Sequence, residues 1–146
     1  MIRGNRIALD FHSRVAMLDF VLAVTDHAGR RAGLDDEALH AVSLAVRESV
    51  INAMTHGNAN DEHKHVYVEI APLGHGGRGL AIRVRDEGAG FDPSGLADCR
   101  APENLLEPGG RGIFLMRSVM DAVVLQRAAQ GGMEVCMVKR MQRTPA

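Results

Sequence analysis

Three short stretches of this chain carry side chains whose types and spacing could do chemistry. The first is "AVRESVINAMTHGN" (residues 45–58), where Glu48, Asn52 and His56 recur at four-residue steps. Residues four apart on a helix lie one above the other, about 5–6 Å apart at Cβ. A carboxylate, an amide and an imidazole would therefore form one polar stripe beside an apolar one of Val46, Val50, Ala53 and Met54. Taken alone, the column reads equally as a solvated face, although such a face is more often built of Lys and Glu. The second stretch is "RDEGAGFDP" (residues 85–93), in which Asp86 ends a strand and is followed by Gly88 and Gly90. A carboxylate there can accept a hydrogen bond from an exocyclic amine, and glycines let backbone approach a flat ring with no Cβ in the way. The same spacing also describes ordinary turns and calcium loops. The third is "PGGRGIFLMRSVMD" (residues 108–121), with glycines and Arg111 immediately before a helix. Free N–H groups and the dipole at a helix N-terminus make an anion site, and Arg111 adds a charge-assisted contact. The bland alternative is a lid hinge with a stray Arg.

To act together these side chains need a scaffold, and the apolar pattern supplies one. Residues 5–11 alternate as a short edge strand. Val15, Leu18, Leu22 and either Val21 or Thr25 take helical spacing over residues 13–34, with Ser13 as N-cap and Gly33 past the end. A second helix covers residues 35–57. Asp35, Asp36 and Glu37 occupy its first turn, where the dipole favours negative charge, and Leu39, Val42, Val46, Val50 and Met54 form its buried face. Residues 63–72 and 79–88 read as paired strands around a glycine-rich loop at 73–79, with Leu80, Ile82 and Val84 on one side and Arg83 and Arg85 on the other. The Pro- and Gly-rich residues 92–110 form a long loop, which in a compact domain is usually a functional lid or disordered. Residues 112–123 look helical, and residues 123–141 read as two strands joined at Gln130, Gly131 and Gly132. The expected fold class is α+β: a two-layer α/β sandwich with one mixed, mostly antiparallel sheet and about three helices on one face. Residues 1–146 are expected to be one domain.

Composition narrows the function classes. Seventeen Lys and Arg against eighteen Asp and Glu leave a net charge of -1, which argues against a generic nucleic-acid binder with its usual basic excess. No apolar run approaches the roughly 20 residues of a membrane span, and the opening residues lack an apolar signal core. Cys99 and Cys136 share no CxxC spacing and suit a reduced compartment. The expectation is a cytoplasmic protein with no membrane and no direct nucleic-acid partner. His63 and His65 project to one side of a strand, but no placement of Cys, Asp or Glu completes a metal set, so they are read as exposed strand histidines. Met116 and Met120 are read as core filler, Asp92 as a turn residue, and nothing marks Cys99 as reactive.

Together and in this order, the three stretches resemble the N, G1 and G2 boxes of the GHKL ATPase/kinase superfamily, whose Bergerat-type fold binds Mg-ATP. Within it the chain is most similar to the bacterial anti-sigma factor serine/threonine kinases, over about Ala32 to Lys139. "AVRESVINAMTHGN" matches their E-x-x-x-N-x-x-x-H-G form, and "GRGIFLMRSVMD" matches their G2 helix closely. The resemblance implies ATP/ADP and Mg²⁺ as ligands. It makes Glu48 the general base and Asn52 the Mg²⁺ and nucleotide ligand, and gives His56 a structural or lid-contacting role. It puts Asp86 at adenine with Gly88 and Gly90 shaping that pocket. Gly110, Arg111 and Gly112, followed by Ile113 and Phe114, belong to its phosphate-binding segment. One position departs: many members carry a Thr in the penultimate strand region where this chain has Met133.

The implied function is an anti-sigma factor that is also an ATP-dependent serine/threonine-protein kinase. It would phosphorylate an anti-anti-sigma (STAS-type) antagonist and sequester a sigma factor by partner switching, as a homodimer. The alternative is a nucleotide-binding switch without significant kinase activity, which Met133 keeps open. A detached ATP-binding half of a histidine kinase ranks last, because residues 1–34 hold too little for a phosphoacceptor helical hairpin.

Overall fold

The structure, a computed structural model, describes residues 5–74, 78–89 and 108–141, the first four residues of the last segment by their backbone alone. The expected lid, with Asp92 and Cys99, lies almost wholly outside these residues, and so does Gly90 of the expected adenine pocket.

Apolar alternation builds five strands: β1 (Ile7–His12), β2 (His65–Pro72), β3 (Gly79–Arg85), β4 (Ala122–Arg127) and β5 (Met133–Arg140). They form one sheet in the order β1-β2-β3-β5-β4, antiparallel at every pairing. Ile70 faces Ile82, and Ile82 in turn faces Met137. Helices α1 (Leu18–Arg31), α2 (Asp36–Asn52) and α3 (Pro108–Val119) cover the face that carries these residues. The α+β expectation thus holds, with α2 packed between α1 and α3.

The α2 helix is the central brace. The Asp35 side chain caps it, accepting from the Ala38 N–H at 2.8 Å, and Asp36 and Glu37 follow in the first turn. Leu39, Val42, Val46, Val50 and Met54 are all buried. Full burial of such side chains is worth about 1.5–3 kcal/mol each, far more than a surface ion pair such as Arg30–Asp26 at 2.9 Å. Before it, α1 ends in a Schellman arrangement. Gly33 takes φ +89° while its N–H reaches the Arg30 carbonyl and that of Leu34 reaches the Gly29 carbonyl.

Four expected boundaries are corrected. Ser13 does not cap α1: a 3₁₀ turn (Val15–Met17) comes first, and the Ser13 hydroxyl is buried without a partner among the described residues. The helix expected through Gly57 is α-helical only to Asn52 and widens into a π-helical turn (Ala53–Gly57). The strand expected from His63 starts at His65, because Asp61 pulls the His63 N–H into a turn at 2.9 Å. The helix expected over 112–123 is α3, which starts at Pro108 and stops at Val119. There Lys139 Nζ reaches the Val119 carbonyl at 2.8 Å, a cation where the helix dipole favours one, and the Asp121 N–H pairs with Val138 to open β4. Met116 and Met120 fill the core as expected. No helix among the described residues is long and apolar enough to cross a membrane.

Candidate functional site

The end of β3 delivers Asp86 to the helical layer, where it is 4% exposed. Its Oδ1 accepts from the Gly88 N–H at 2.9 Å and the Met133 N–H at 3.1 Å, and its own N–H donates to the Met133 carbonyl at 3.1 Å. A carboxylate has about four acceptor positions, so capacity remains on Oδ2. The fit around this carboxylate is close enough to require glycine. A Cβ on Gly57 would overlap the Asp86 carboxylate, and one on Gly88 would overlap the Gly57 carbonyl.

A residue that sequence reasoning missed ties this corner together. Asn58 is fully buried. Its Nδ2 donates to the His65 carbonyl at 3.0 Å, and its Oδ1 accepts from the Glu87 N–H at 2.8 Å. One amide thus joins the π-helical turn to the start of β2 and the end of β3. A short polar residue after Gly57 gives only a loop signal, and nothing local names the backbone groups it meets.

Glu48 and Asn52 remain one α-helical turn apart, both half-buried, and α3 backs onto them. A Cβ on Gly112 would lie 2.6 Å from Asn52 Nδ2 and 3.0 Å from Glu48 Oε2, so glycine lets the first turn of α3 come this close. Gly110 and Arg111 lie within that first turn rather than ahead of it, which corrects the sequence expectation. Pro108 starts the helix, and the N–H groups of its opening turn lack intrahelical partners by geometry. A small pocket of about 60 Å³ joins Asn52, Asp86, Ile113 and Met133, with His56 exposed at its edge. Phe114 points elsewhere and is 48% exposed. Gly90 lies outside the described residues.

A larger groove, about 540 Å³, crosses the uncovered sheet face, lined by Tyr67, Arg83, Arg85 and Glu134 among others. Two of its arginines are engaged within it: Arg83 pairs with Glu134 at 3.0 Å, and Arg85 stacks 4.0 Å over the Tyr67 ring. Size alone does not make it the site. The smaller pocket sets a buried acceptor and an amide in an otherwise largely apolar wall to which α3 contributes Ile113 and Met116, which is the usual form of a ligand site.

Beside the Asp86 corner, His65 hydrogen-bonds Asp10 through Nδ1 at 2.5 Å, and its ring lies between those of His12 and Tyr67. Glu87 accepts from the His65 N–H and from the Tyr67 hydroxyl. No group of three or more metal-ligating side chains occurs among the described residues. The Asp10 hydrogen bond raises the His65 pKa. A raised folded-state value means that the contribution to stability is full below the ordinary histidine value of about 6.5. It is lost as pH rises through the folded value. The His65 ring resonances should therefore titrate with a midpoint above 6.5 by NMR, falling toward it in Asp10→Asn. An unchanged midpoint in the variant would remove Asp10 as the cause.

Comparison with known proteins adds to this geometry. Residues 11–139 match the family described as histidine kinase-like ATPase domain. The chain is 29% identical over 112 residues to an anti-sigma F factor of Oceanobacillus iheyensis, covering 74% of this chain and 73% of the relative. It is 31% identical over 114 residues to an anti-sigma F factor of a Geobacillus species, covering 75% of each. It is also 31% identical over 101 residues to the serine-protein kinase RsbW of Listeria monocytogenes, covering 65% of this chain and 62% of the relative.

Proposed function

This chain belongs to the histidine kinase-like ATPase family, in its anti-sigma kinase branch, and from that premise we propose that it is an ATP-dependent serine/threonine-protein kinase that is also an anti-sigma factor. Its protein substrate would be an anti-anti-sigma antagonist of STAS type and its second partner a sigma factor. We further propose that it acts as a homodimer in the cytoplasm, with residues 1–146 forming one domain.

The observation that carries this reading is the enclosed Asp86 carboxylate, sharing a pocket with Asn52 at the first turn of α3. The residues fit a magnesium nucleotide. Asp86 retains acceptor capacity for the exocyclic amine of adenine. The phosphates would lie at the start of α3, where the segment Gly110, Arg111 and Gly112 runs and where the Gly110 N–H, in the opening turn, has no intrahelical partner. Asn52 offers an amide oxygen to Mg²⁺, which favours oxygen donors and is commonly shared with substrate phosphates. When bound, Mg²⁺ neutralises charge on the phosphates. Glu48 takes the proton of the attacking hydroxyl as its oxygen bonds to the γ-phosphorus and ADP departs. Positioning and electrostatics supply most of the catalysis in such transfers.

Calorimetric titration with ADP and ATP, with and without Mg²⁺, tests the site. The expected result is saturable, metal-dependent binding that Asn52→Ala loses. In competition with GTP, Asp86→Asn should lose selectivity for ATP, and a variant as selective as the wild type would take Asp86 out of the base site. The second reading, a nucleotide-binding switch without transfer, draws on Met133, which brings a thioether rather than a hydroxyl to the pocket. It would be supported by normal nucleotide binding without phosphorylation of any antagonist protein.

A further inference from the structure

Helix-interior hydroxyls normally bond back to the carbonyl four residues earlier, and this chain follows the rule at Thr25, which donates to the Val21 carbonyl at 2.7 Å, and at Thr55, which donates to that of Ile51 at 2.8 Å. Ser49 does not. It is 1% exposed, and its Oγ has no hydrogen-bond partner among the described residues. A buried hydroxyl left in that state costs stability that alanine would not. Ser49 lies in the wall of the Asp86 pocket, where every other described side chain is apolar except those of Asn52, His56 and Asp86. Asn52 faces the first turn of α3, and His56 is exposed at the edge. Met133 spends its backbone N–H on Asp86. Ser49 is thus the one hydroxyl among the described residues of the pocket wall.

The chemistry of a purine says what such a hydroxyl is for. The adenine edge presents the exocyclic amine, a donor, directly beside ring nitrogen N1, an acceptor. Asp86 is an acceptor and satisfies only the first. A serine hydroxyl both donates and accepts, so it can serve N1 directly or through one water. The pocket, at about 60 Å³, exceeds the roughly 10–15 Å³ that one water needs. We propose that the Ser49 hydroxyl is the second base-reading group of this site, bonded to purine N1 while Asp86 holds the neighbouring amine. The proposal rests on the nucleotide reading above and adds to it a binding residue on α2.

The test is a titration of wild-type protein and Ser49→Ala with ADP and with 1-deaza-ADP, in which a C–H replaces N1. Wild type should bind ADP about 5-fold more tightly than the analogue, a net effect ordinary for one hydrogen bond. Ser49→Ala should bind ADP about as weakly as wild type binds the analogue, and should lose nothing further on removal of N1. Its melting temperature should be equal or higher, since an unpartnered hydroxyl has gone, and this separates a binding role from a structural one. Saturable ADP binding with equal sensitivity to N1 in both proteins would overturn the role of Ser49 and leave the nucleotide site standing. No saturable ADP binding by the wild type would overturn both.

Discussion

Glu48→Gln is expected to slow phosphate transfer by about 10²–10⁴-fold, the range of a lost general base, while nucleotide affinity stays close to that of the wild type. The substitution keeps the shape and hydrogen-bonding reach of the side chain and removes its capacity to take a proton. Glu48 stands half-buried on α2, with its Oε2 facing the backbone of Gly112 at the first turn of α3. A glutamine amide occupies that space without steric conflict, so a binding defect is not expected to accompany the loss of rate. The measurement is initial-rate transfer from γ-labelled ATP to an antagonist protein of the same organism, with nucleotide affinity determined in parallel by calorimetry. Transfer at the wild-type rate would remove Glu48 from the chemistry. Equal losses of rate and affinity would instead make it part of the binding surface.

Gly88→Ala should have the largest effect on the fold. Its Cβ would be driven into the Gly57 carbonyl, which is backbone and has no rotamer to yield. Overpacking costs about 1–3 kcal/mol where side chains can adjust and more where they cannot. A loss of about 3 kcal/mol would lower the melting temperature by roughly 10 °C in a domain of this size. The same displacement opens the corner that Asp86 and Asn58 hold closed, so nucleotide binding should fall with stability. Gly74→Ala is the control, since a Cβ there meets nothing within 4 Å, and its melting temperature should stay within about 2 °C of wild type. Similar melting temperatures for the two variants would mean that Gly57 and Gly88 are not in tight apposition.

Elements whose period is set by one-sided burial were legible in the sequence. The apolar stripe of α2, the capping acids before it and the alternation of Leu80, Ile82 and Val84 all hold in the structure. Of the candidate site, Glu48, Asn52, Asp86 and Gly112 come together around α2 and α3 as their motifs suggest. What was not legible depends on partners distant in the chain. The helical pattern runs on from Val119 into Val123, yet Lys139 and Val138 stop the helix and recruit the residues after it into the sheet. Ser13 has the residue type of a cap, but the 3₁₀ turn after it moves the start of α1 out of its reach. Neither the π-helical turn, nor the bracing amide of Asn58, nor the unpartnered hydroxyl of Ser49 has a local signature. The Asn58 bracket, for one, is defined by strands that arrive from elsewhere.

The Asn58 bracket also has a kinetic meaning. It spans 29 residues, and the contact of Asp86 with Met133 spans 47. Each must meet a loop-closure cost before it returns any stabilisation. The β2–β3 hairpin can zip locally, but the pocket does not exist until the hairpin has docked on the end of α2 and β5 has joined β3. A molecule that binds there finds no foothold on partly folded chains. Its binding energy accrues only to the finished assembly, so occupancy retards global opening of the sheet and helices as one unit.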